Sequence, residues 1–262
     1  MELIFLGTGT STGVPMIGCR CATCTSTDPC DQRLRCSVIV RPDDGAPGIL
    51  IDAGPDLRRQ LLDHQTPDLA ALLVTHIHYD HVGGIDDLRP YCYKAPDGKF
   101  PVYCRADVGA GLKRAVPYAF AEDHYPGAPA FHLHTVDDDT PFEIPVAGHN
   151  PVKVVPLPVL HAKLPILGYR IGPLAYITDC SHIGDETLAR LKGVDTLVIN
   201  ALRPQPHPAH LSLDESLAVI ARVAPRQAFL THMSHDMPPA AEVEPLLPQG
   251  VRLAHDGLRI RF

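Results

Sequence analysis

Residues 75–81 read Thr75-His76-Ile77-His78-Tyr79-Asp80-His81, with Leu72-Leu73-Val74 before them and Gly83-Gly84 soon after. Three imidazoles and one carboxylate fall between His76 and His81. Imidazole nitrogen and carboxylate oxygen are the ligands that borderline divalent metals such as zinc accept. His76 and His78 are two residues apart, so an extended backbone turns both to one side. Asp80 and His81 follow as the chain turns, and can face a second point nearby. One short loop is therefore expected to serve two metal sites. A polar loop that merely happens to be rich in histidine explains the mixed ligand cluster poorly.

The rest of the chain sets bounds on that reading. With 262 residues there is enough chain for a sizeable core, and 45% hydrophobic residues is ordinary for a globular protein. The start, Met1-Glu2-Leu3-Ile4-Phe5-Leu6-Gly7, has no basic region and no small-residue cleavage site, so it reads as a first strand. No apolar run reaches the roughly 18–20 residues of a membrane span. A cytoplasmic location is expected. Lys and Arg total 23 against 30 Asp and Glu, a formal charge of -7. That disfavours broad, salt-driven binding to extended nucleic acid, although two divalent ions could still attract an anionic substrate locally. No linker, repeat or low-complexity tail divides the chain, so 1–262 is expected to form one domain.

Short β-branched or apolar runs bounded by Gly, Pro and Asp predict strands at 2–6, 36–40, 49–52, 71–74, 101–104, 152–157, 168–171, 174–178, 195–199, 227–230 and 258–262. Helices are expected at 56–64, 107–115, 184–192, 212–224 and 240–247. The fourth has the clearest signature. Ser212 and Glu215 form a capping-box pair, and Leu213, Leu217, Ile220, Ala221 and Ala224 recur with helical spacing. Mixed strands and helices of this kind predict layered α/β packing. Asp52, His76, Asp179 and His232 each follow a predicted strand, where a rigid sheet can hold a side chain in place.

The His-x-His-x-Asp-His pattern, followed by isolated His161, Asp179 and His232, resembles the metallo-β-lactamase superfamily over nearly the whole chain. The resemblance implies a four-layer αββα sandwich with metals at one edge. It also implies that His76, His78 and His161 bind one ion and Asp80, His81 and His232 another, with Asp179 bridging. The ions would be manganese, zinc or iron. Asp52, within Ile51-Asp52-Ala53-Gly54, would orient the 75–81 loop through a histidine N–H; a turn-forming role is its alternative.

Eight cysteines are present, five of them between Cys19 and Cys36. Without an export signal, metal ligation or reduced thiols are expected rather than disulfides. Cys19, Cys21 and Cys24 offer three thiolates, and a closed structural zinc needs a fourth ligand. Cys30, Cys36 or a distant histidine can each supply it. The Gly-Cys-x-Cys-x-x-Cys segment and Thr231-His232-Met233-Ser234-His235 resemble the PhnP-type branch of the superfamily. That resemblance implies His235 as the fourth ligand of a zinc loop at about 18–36. Such a zinc would preorganise the active site without reacting itself.

The same branch, and the related tRNA 3′-processing nucleases, carry a histidine near His210 that contacts the scissile phosphate or acts as general acid. His210 also precedes the capped helix, whose N-terminus favours anions. Lys163, close to His161, is a candidate for a second phosphate. His207 and His182 are weaker candidates near the pocket. Gly7-Thr8-Gly9-Thr10-Ser11-Thr12-Gly13 lacks the Walker ending and reads as a tight turn. The implied reaction is hydrolysis of a small cyclic phosphate by a metal-bridging hydroxide. Its substrate would be 5-phosphoribosyl 1,2-cyclic phosphate, opened to ribose 1,5-bisphosphate, with Asp80, Asp179 and His210 in the catalytic group. The expected partner is a small phosphorylated substrate, and a homodimer is compatible with the sequence. A tRNA 3′-nuclease, a lactamase or thioesterase, the pyrroloquinoline-quinone biosynthesis protein B group and a non-catalytic metal-bound sensor are the competing readings.

Overall fold

The computed structural model describes residues 1–262 apart from Asp44, Thr66, Pro67, Glu122 and His124. The first half of the chain supplies β1 (Glu2–Gly7), β2 (Ser37–Arg41), β3 (Gly48–Ile51), α1 (Leu57–Asp63), β4 (Leu69–Leu73), α2 (Tyr79–Val82), α3 (Arg89–Lys94), β5 (Phe100–Cys104), α4 (Ala106–Ala115) and β6 (Phe131–Thr135). The second half supplies β7 (Phe142–Ile144), β8 (Val152–His161), β9 (Leu164–Ile171), β10 (Leu174–Ile177), α5 (Asp185–Arg190), β11 (Thr196–Asn200), α6 (Leu213–Val223), β12 (Gln227–Thr231), α7 (Ala240–Val243), β13 (Val251–Leu253) and β14 (Arg259–Arg261).

Two seven-stranded sheets result, ordered β14-β1-β2-β3-β4-β5-β6 and β13-β12-β11-β10-β9-β8-β7. In the first, β14, β1, β2 and β3 pair antiparallel, and β3 to β6 pair parallel. In the second, β7 to β10 are antiparallel and β10 to β13 parallel. Period-2 alternation assigns the faces. Leu3, Phe5, Val38, Val40, Ile49 and Ile51 point between the sheets and meet Val154, Leu167, Tyr169, Tyr176, Val198 and Phe229. Ile4, Leu6, Ile39 and Leu50 point outward, beneath Leu57 of α1 and Val108 and Leu112 of α4. On the far side, Ala175, Ile177, Leu197 and Ile199 lie under Ile220 of α6 and Val243 of α7. This is the expected αββα sandwich. Strands of the parallel regions are covered on both faces, so Leu69–Leu73 and Thr196–Asn200 are apolar along most of their length.

The strand directions position the site. β8 is antiparallel to β9 and β9 to β10, so the C-terminal ends of β8, β10 and β12 lie at one edge. His161, Asp179 and His232 sit at or just after those ends. The first sheet is fastened beside them where Tyr169 Oη donates to the Val74 carbonyl (2.7 Å) and Leu167 N to the Thr75 carbonyl (3.2 Å).

Several boundaries differ from expectation. β6, β7, β13, α2 and α3 form where the sequence predicts neither strand nor helix, and β8 runs on to His161 rather than stopping at 157. The expected helix at 240–247 is a four-residue α-helix followed by a 3-10 turn, Glu244–Leu246, with Pro245 removing a donor. The capping box of α6 is present, with Ser212 N donating to Glu215 Oε2 (2.8 Å). Among the described residues no helix is long and apolar enough to cross a membrane.

Candidate metal centre

The 75–81 segment leaves β4, crosses the sheet edge and enters the one-turn helix α2. Glycine makes its packing feasible. A Cβ on Gly54 would stand 2.1 Å from the Asp80 carbonyl, and one on Gly84 would stand 2.1 Å from the Gly54 carbonyl. The backbone is stitched to β3 by Ala53 N donating to the His81 carbonyl (2.7 Å) and Gly84 N to the Ala53 carbonyl (2.8 Å). Asp52, Asp179 and His232 have φ of 65°, 55° and 56°. These are left-handed conformations that non-glycine residues rarely adopt, and their clustering at one strand edge marks a functional site.

Ligand atoms of His76, His78 and His161 lie within 4.8 Å of one another. Those of Asp80, His81, Asp179 and His232 form a second such group, and Asp179 also falls within 4.8 Å of His161 and His210. The structure thus brings together all seven sequence-derived ligands and puts Asp179 beside both groups. His161 Nδ1 donates to the Ala209 carbonyl (2.7 Å), which leaves Nε2 for a ligand. Asp52 Oδ2 accepts from His81 Nδ1 (2.7 Å), the outer-partner contact expected of it.

The electrostatics fit a cation. Burial pushes His76 well below the ordinary histidine value, and neighbouring His81 adds to the effect. Burial likewise lowers His78 and His232. For His81 burial acts downward too, but Asp179 and Asp52 outweigh it and raise the imidazole well above its usual range. Burial opposes ionisation of Asp179, yet His232 and His81 hold it well below the usual carboxylate range. Asp80 is lowered in the same way, mainly by His81. The Asp179 and Asp80 carboxylates face the same edge of the His81 ring, whose Nε2 lies 3.1 Å from Asp179 and 3.3 Å from Asp80. Nε2 of His76 and of His81 are buried without a hydrogen-bond partner among the described residues, and His232 Nε2 lies 3.0 Å from Asp179 Oδ1. Buried polar atoms are nearly always satisfied, so these donor atoms fit divalent ions at this edge.

His210 sits over the same edge, its ring centroid 4.6 Å from that of His161 and 5.0 Å from that of His232. Burial, with His232 next, pushes it down to about 3. His207 stands behind it at 5.1 Å. Lys163 is exposed in the two-residue turn joining β8 and β9. His182 is exposed, and its backbone pairs with Leu160.

The cysteine loop closes a separate site. Sγ of Cys19, Cys21 and Cys24 and a ring nitrogen of His235 lie within 4.8 Å of one another, with His235 Nδ1 3.4 Å from Cys19 and 3.6 Å from Cys21. Cys36 is buried elsewhere, 3.2 Å from Thr231 Oγ1. The Cys24 N–H, helped by His235, brings the Cys21 thiol down to about 6, while burial pushes Cys24 up to about 11. Three thiols and one imidazole in this arrangement suit a closed tetrahedral zinc.

Sequence reasoning did not find the role of Thr10. The Gly7–Gly13 turn lies against the 231–235 segment through Thr10 N to the Met233 carbonyl (3.1 Å) and Met233 N to the Thr8 carbonyl (3.0 Å), and Thr10 Oγ1 stands 3.1 Å from His232 Nε2. A threonine in a turn carries no local sign of such a distant contact. A groove of about 630 Å³ lies apart from the metal groups, lined by Leu69, Tyr91, Lys94, Phe100 and His132 among others.

Residues 48–233 match the family described as Beta-lactamase superfamily domain. An octanoyltransferase from Porphyromonas gingivalis is 39% identical over 98% of this chain, and the chain spans about half (51%) of that protein's length. A solved diphosphatase of the PhnP family is 40% identical, with a TM-score of 0.88 covering 100% of this chain and 97% of the other. The short form of human tRNase Z superposes with a TM-score of 0.69 at 18% identity, covering 100% and 99%, a likeness of fold. The chain therefore belongs to the β-lactamase superfamily and has the metallo-β-lactamase fold, similar over its whole length to the PhnP-family diphosphatase.

Proposed function

We propose that the chain is a dinuclear metal-dependent phosphoric diester hydrolase acting on a small cyclic phosphate, 5-phosphoribosyl 1,2-cyclic phosphate being the leading substrate. The observation that carries this reading is Asp179, a buried carboxylate of the second ligand group that also lies within 4.8 Å of His161 of the first, with His210 Nδ1 3.8 Å away. Divalent ions held there would supply positive charge for phosphoryl oxygens and acidify water at neutral pH. The donor set suits manganese, zinc or iron. Asp80 and Asp179 keep the centre anionic enough to hold both ions. His210, uncharged at neutral pH, offers an N–H to a phosphoryl oxygen or to the departing sugar oxygen. Lys163, at the turn next to His161, can reach a second phosphate on the substrate. The zinc held by Cys19, Cys21, Cys24 and His235 would pin the N-terminal loop against the strand end that carries His232.

A second reading is cleavage of a diphosphate linkage, favoured by the 40% identical PhnP-family diphosphatase. Both substrates place a phosphorus with two ester or anhydride oxygens at the same centre. A tRNA nuclease is supported by fold alone, against a net charge of -7. The octanoyltransferase name belongs to a protein twice as long as the part matched here, and the donor set gives no reason to carry acyl transfer over.

The test is a panel of cyclic phosphates, a nitrophenyl phosphodiester and small diphosphates, assayed with manganese- or zinc-loaded protein. Turnover of cyclic phosphates that is lost in His210→Ala supports the first reading, and turnover confined to diphosphates supports the second. Stoichiometric binding without turnover would instead mark a metal-bound sensor.

A further inference from the structure

We propose that the Thr75 hydroxyl and the Asp52 carboxylate form one buried anchor shared by both metal groups, fixing His76 of the first and His81 of the second in the same tautomer. The Thr-His pair that opens the 75–81 motif is repeated at Thr231-His232, yet the two threonines do different things. Thr231 Oγ1 turns to Cys36, away from its histidine. Thr75 Oγ1 lies 2.8 Å from Asp52 Oδ2 and 3.0 Å from His76 Nδ1. Asp52 Oδ2 lies 2.7 Å from His81 Nδ1. Thr75 N donates to the other oxygen, Asp52 Oδ1, at 2.8 Å. Asp52, Thr75, His76 and His81 are each at most 1% exposed, so water does not compete.

The direction of each bond follows from the hydrogen count. Burial raises Asp52, and His81 and Thr75 oppose that shift; in its ionised form the carboxylate only accepts, so His81 gives its Nδ1–H and Thr75 its O–H to Asp52. A hydroxyl has one hydrogen. Once that is given to Asp52, Thr75 can only accept from His76, which must carry its proton on Nδ1. Both imidazoles are thereby left with Nε2 as the ligating atom, and both Nε2 atoms are buried without a hydrogen-bond partner among the described residues. One carboxylate orients a ligand of each group, directly for His81 and through a hydroxyl for His76. The Thr75 backbone is held independently, its carbonyl by Leu167 N of β9 and its N–H by Asp52. Removing the hydroxyl therefore cuts the relay without freeing the strand end. Thr75 acts as a positioning residue.

This inference rests on the two-ion reading above and is independent of the substrate. Two measurements test it. In metal-free protein, proton–nitrogen spectra of the imidazoles should show protected Nδ1–H signals for both His76 and His81. Thr75→Val should lose the His76 signal alone, and Thr75→Ser should restore it. In cobalt titrations followed by visible absorption, Thr75→Val should weaken the ion bound by His76, His78 and His161 by about 10–100-fold. The other ion should be held as in wild type, Thr75→Ser should rescue, and Asp52→Asn should weaken both. Two outcomes overturn the proposal: Thr75→Val with both signals and both affinities unchanged, or equal loss at both ions unrelieved by Thr75→Ser. If wild type binds fewer than two ions, the two-ion reading fails, while the imidazole signals still decide the anchor.

Discussion

Asp179 touches the second ligand group with both oxygens: Oδ1 lies 3.0 Å from His232 Nε2, and Oδ2 lies 3.1 Å from His81 Nε2. Thr178 Oγ1 donates to Oδ2 at 2.7 Å and fixes the carboxylate's orientation. Asp179→Asn keeps the shape and removes the charge. If the chain hydrolyses phosphodiesters as proposed, turnover should fall by at least about 10³-fold, because charge stabilisation at the reacting centre is usually the largest single catalytic contribution. Metal analysis should show fewer than two active-site equivalents. Full metal content with wild-type activity would remove Asp179 from the centre.

His210→Ala should behave differently. Its ring lies over the ligands but belongs to neither main group, with Nδ1 3.8 Å from Asp179 Oδ1. Losing a hydrogen-bond donor aimed at developing charge costs about 10²–10³-fold. The loss should appear in kcat, with both metal equivalents retained. If the variant instead loses an ion and kcat recovers at high metal concentration, His210 is a ligand.

How much of this was readable in the sequence depends on distance along the chain. The 75–81 cluster is local, so its mixed ligand types point to metal binding from seven residues alone. The seven candidate ligands, ordered by resemblance, lie together in the fold because each sits at the edge of a rigid sheet. The β8–β9 hairpin was only half visible. Pro156, Pro158 and Pro165 interrupt it and argue against strand, yet β8 pairs with β9 over its length, Pro156 opposite Tyr169 and His161 opposite Leu164. β6, with the sequence Phe-His-Leu-His-Thr, shows little apolar character because it is an edge strand whose half-buried His134 stacks on Tyr103 and whose exposed His132 stacks on His134. β7 and β13 are three residues each, too short for a periodic signal. The Thr75 relay and the Thr10 contact involve hydroxyls, which are common residues that give no sign of their partners.

Cys21→Ser should remove one zinc equivalent and lower the melting temperature, since the site ties residues 19–24 to His235 across the fold. Active-site metal should become easier to extract by chelator, because His232 and His235 share one short segment. Unchanged zinc content and melting temperature would show the thiols to be merely buried and reduced.

Asp256 gives a stability prediction with a defined sign. Its half-buried carboxylate accepts from Leu34 N (2.7 Å) and Thr8 Oγ1 (2.8 Å), and desolvation raises it from 3.8 to about 7. A carboxyl raised in the folded state favours its neutral form there. Its contribution is fully present below pH 4 and is lost as pH rises through about 7. Relative to Asp256→Asn, the wild type should lose stability between pH 4 and 7, by on the order of 4 kcal/mol at most. Urea midpoints measured across that range check it; a difference between the two proteins that does not change with pH contradicts it.

The most direct test of the centre is anomalous diffraction from crystals of the manganese-loaded protein. The account predicts two peaks about 3.5–4 Å apart, one beside His76, His78 and His161, the other beside Asp80, His81 and His232, with Asp179 between them. A single peak, or none under saturating metal, would contradict it.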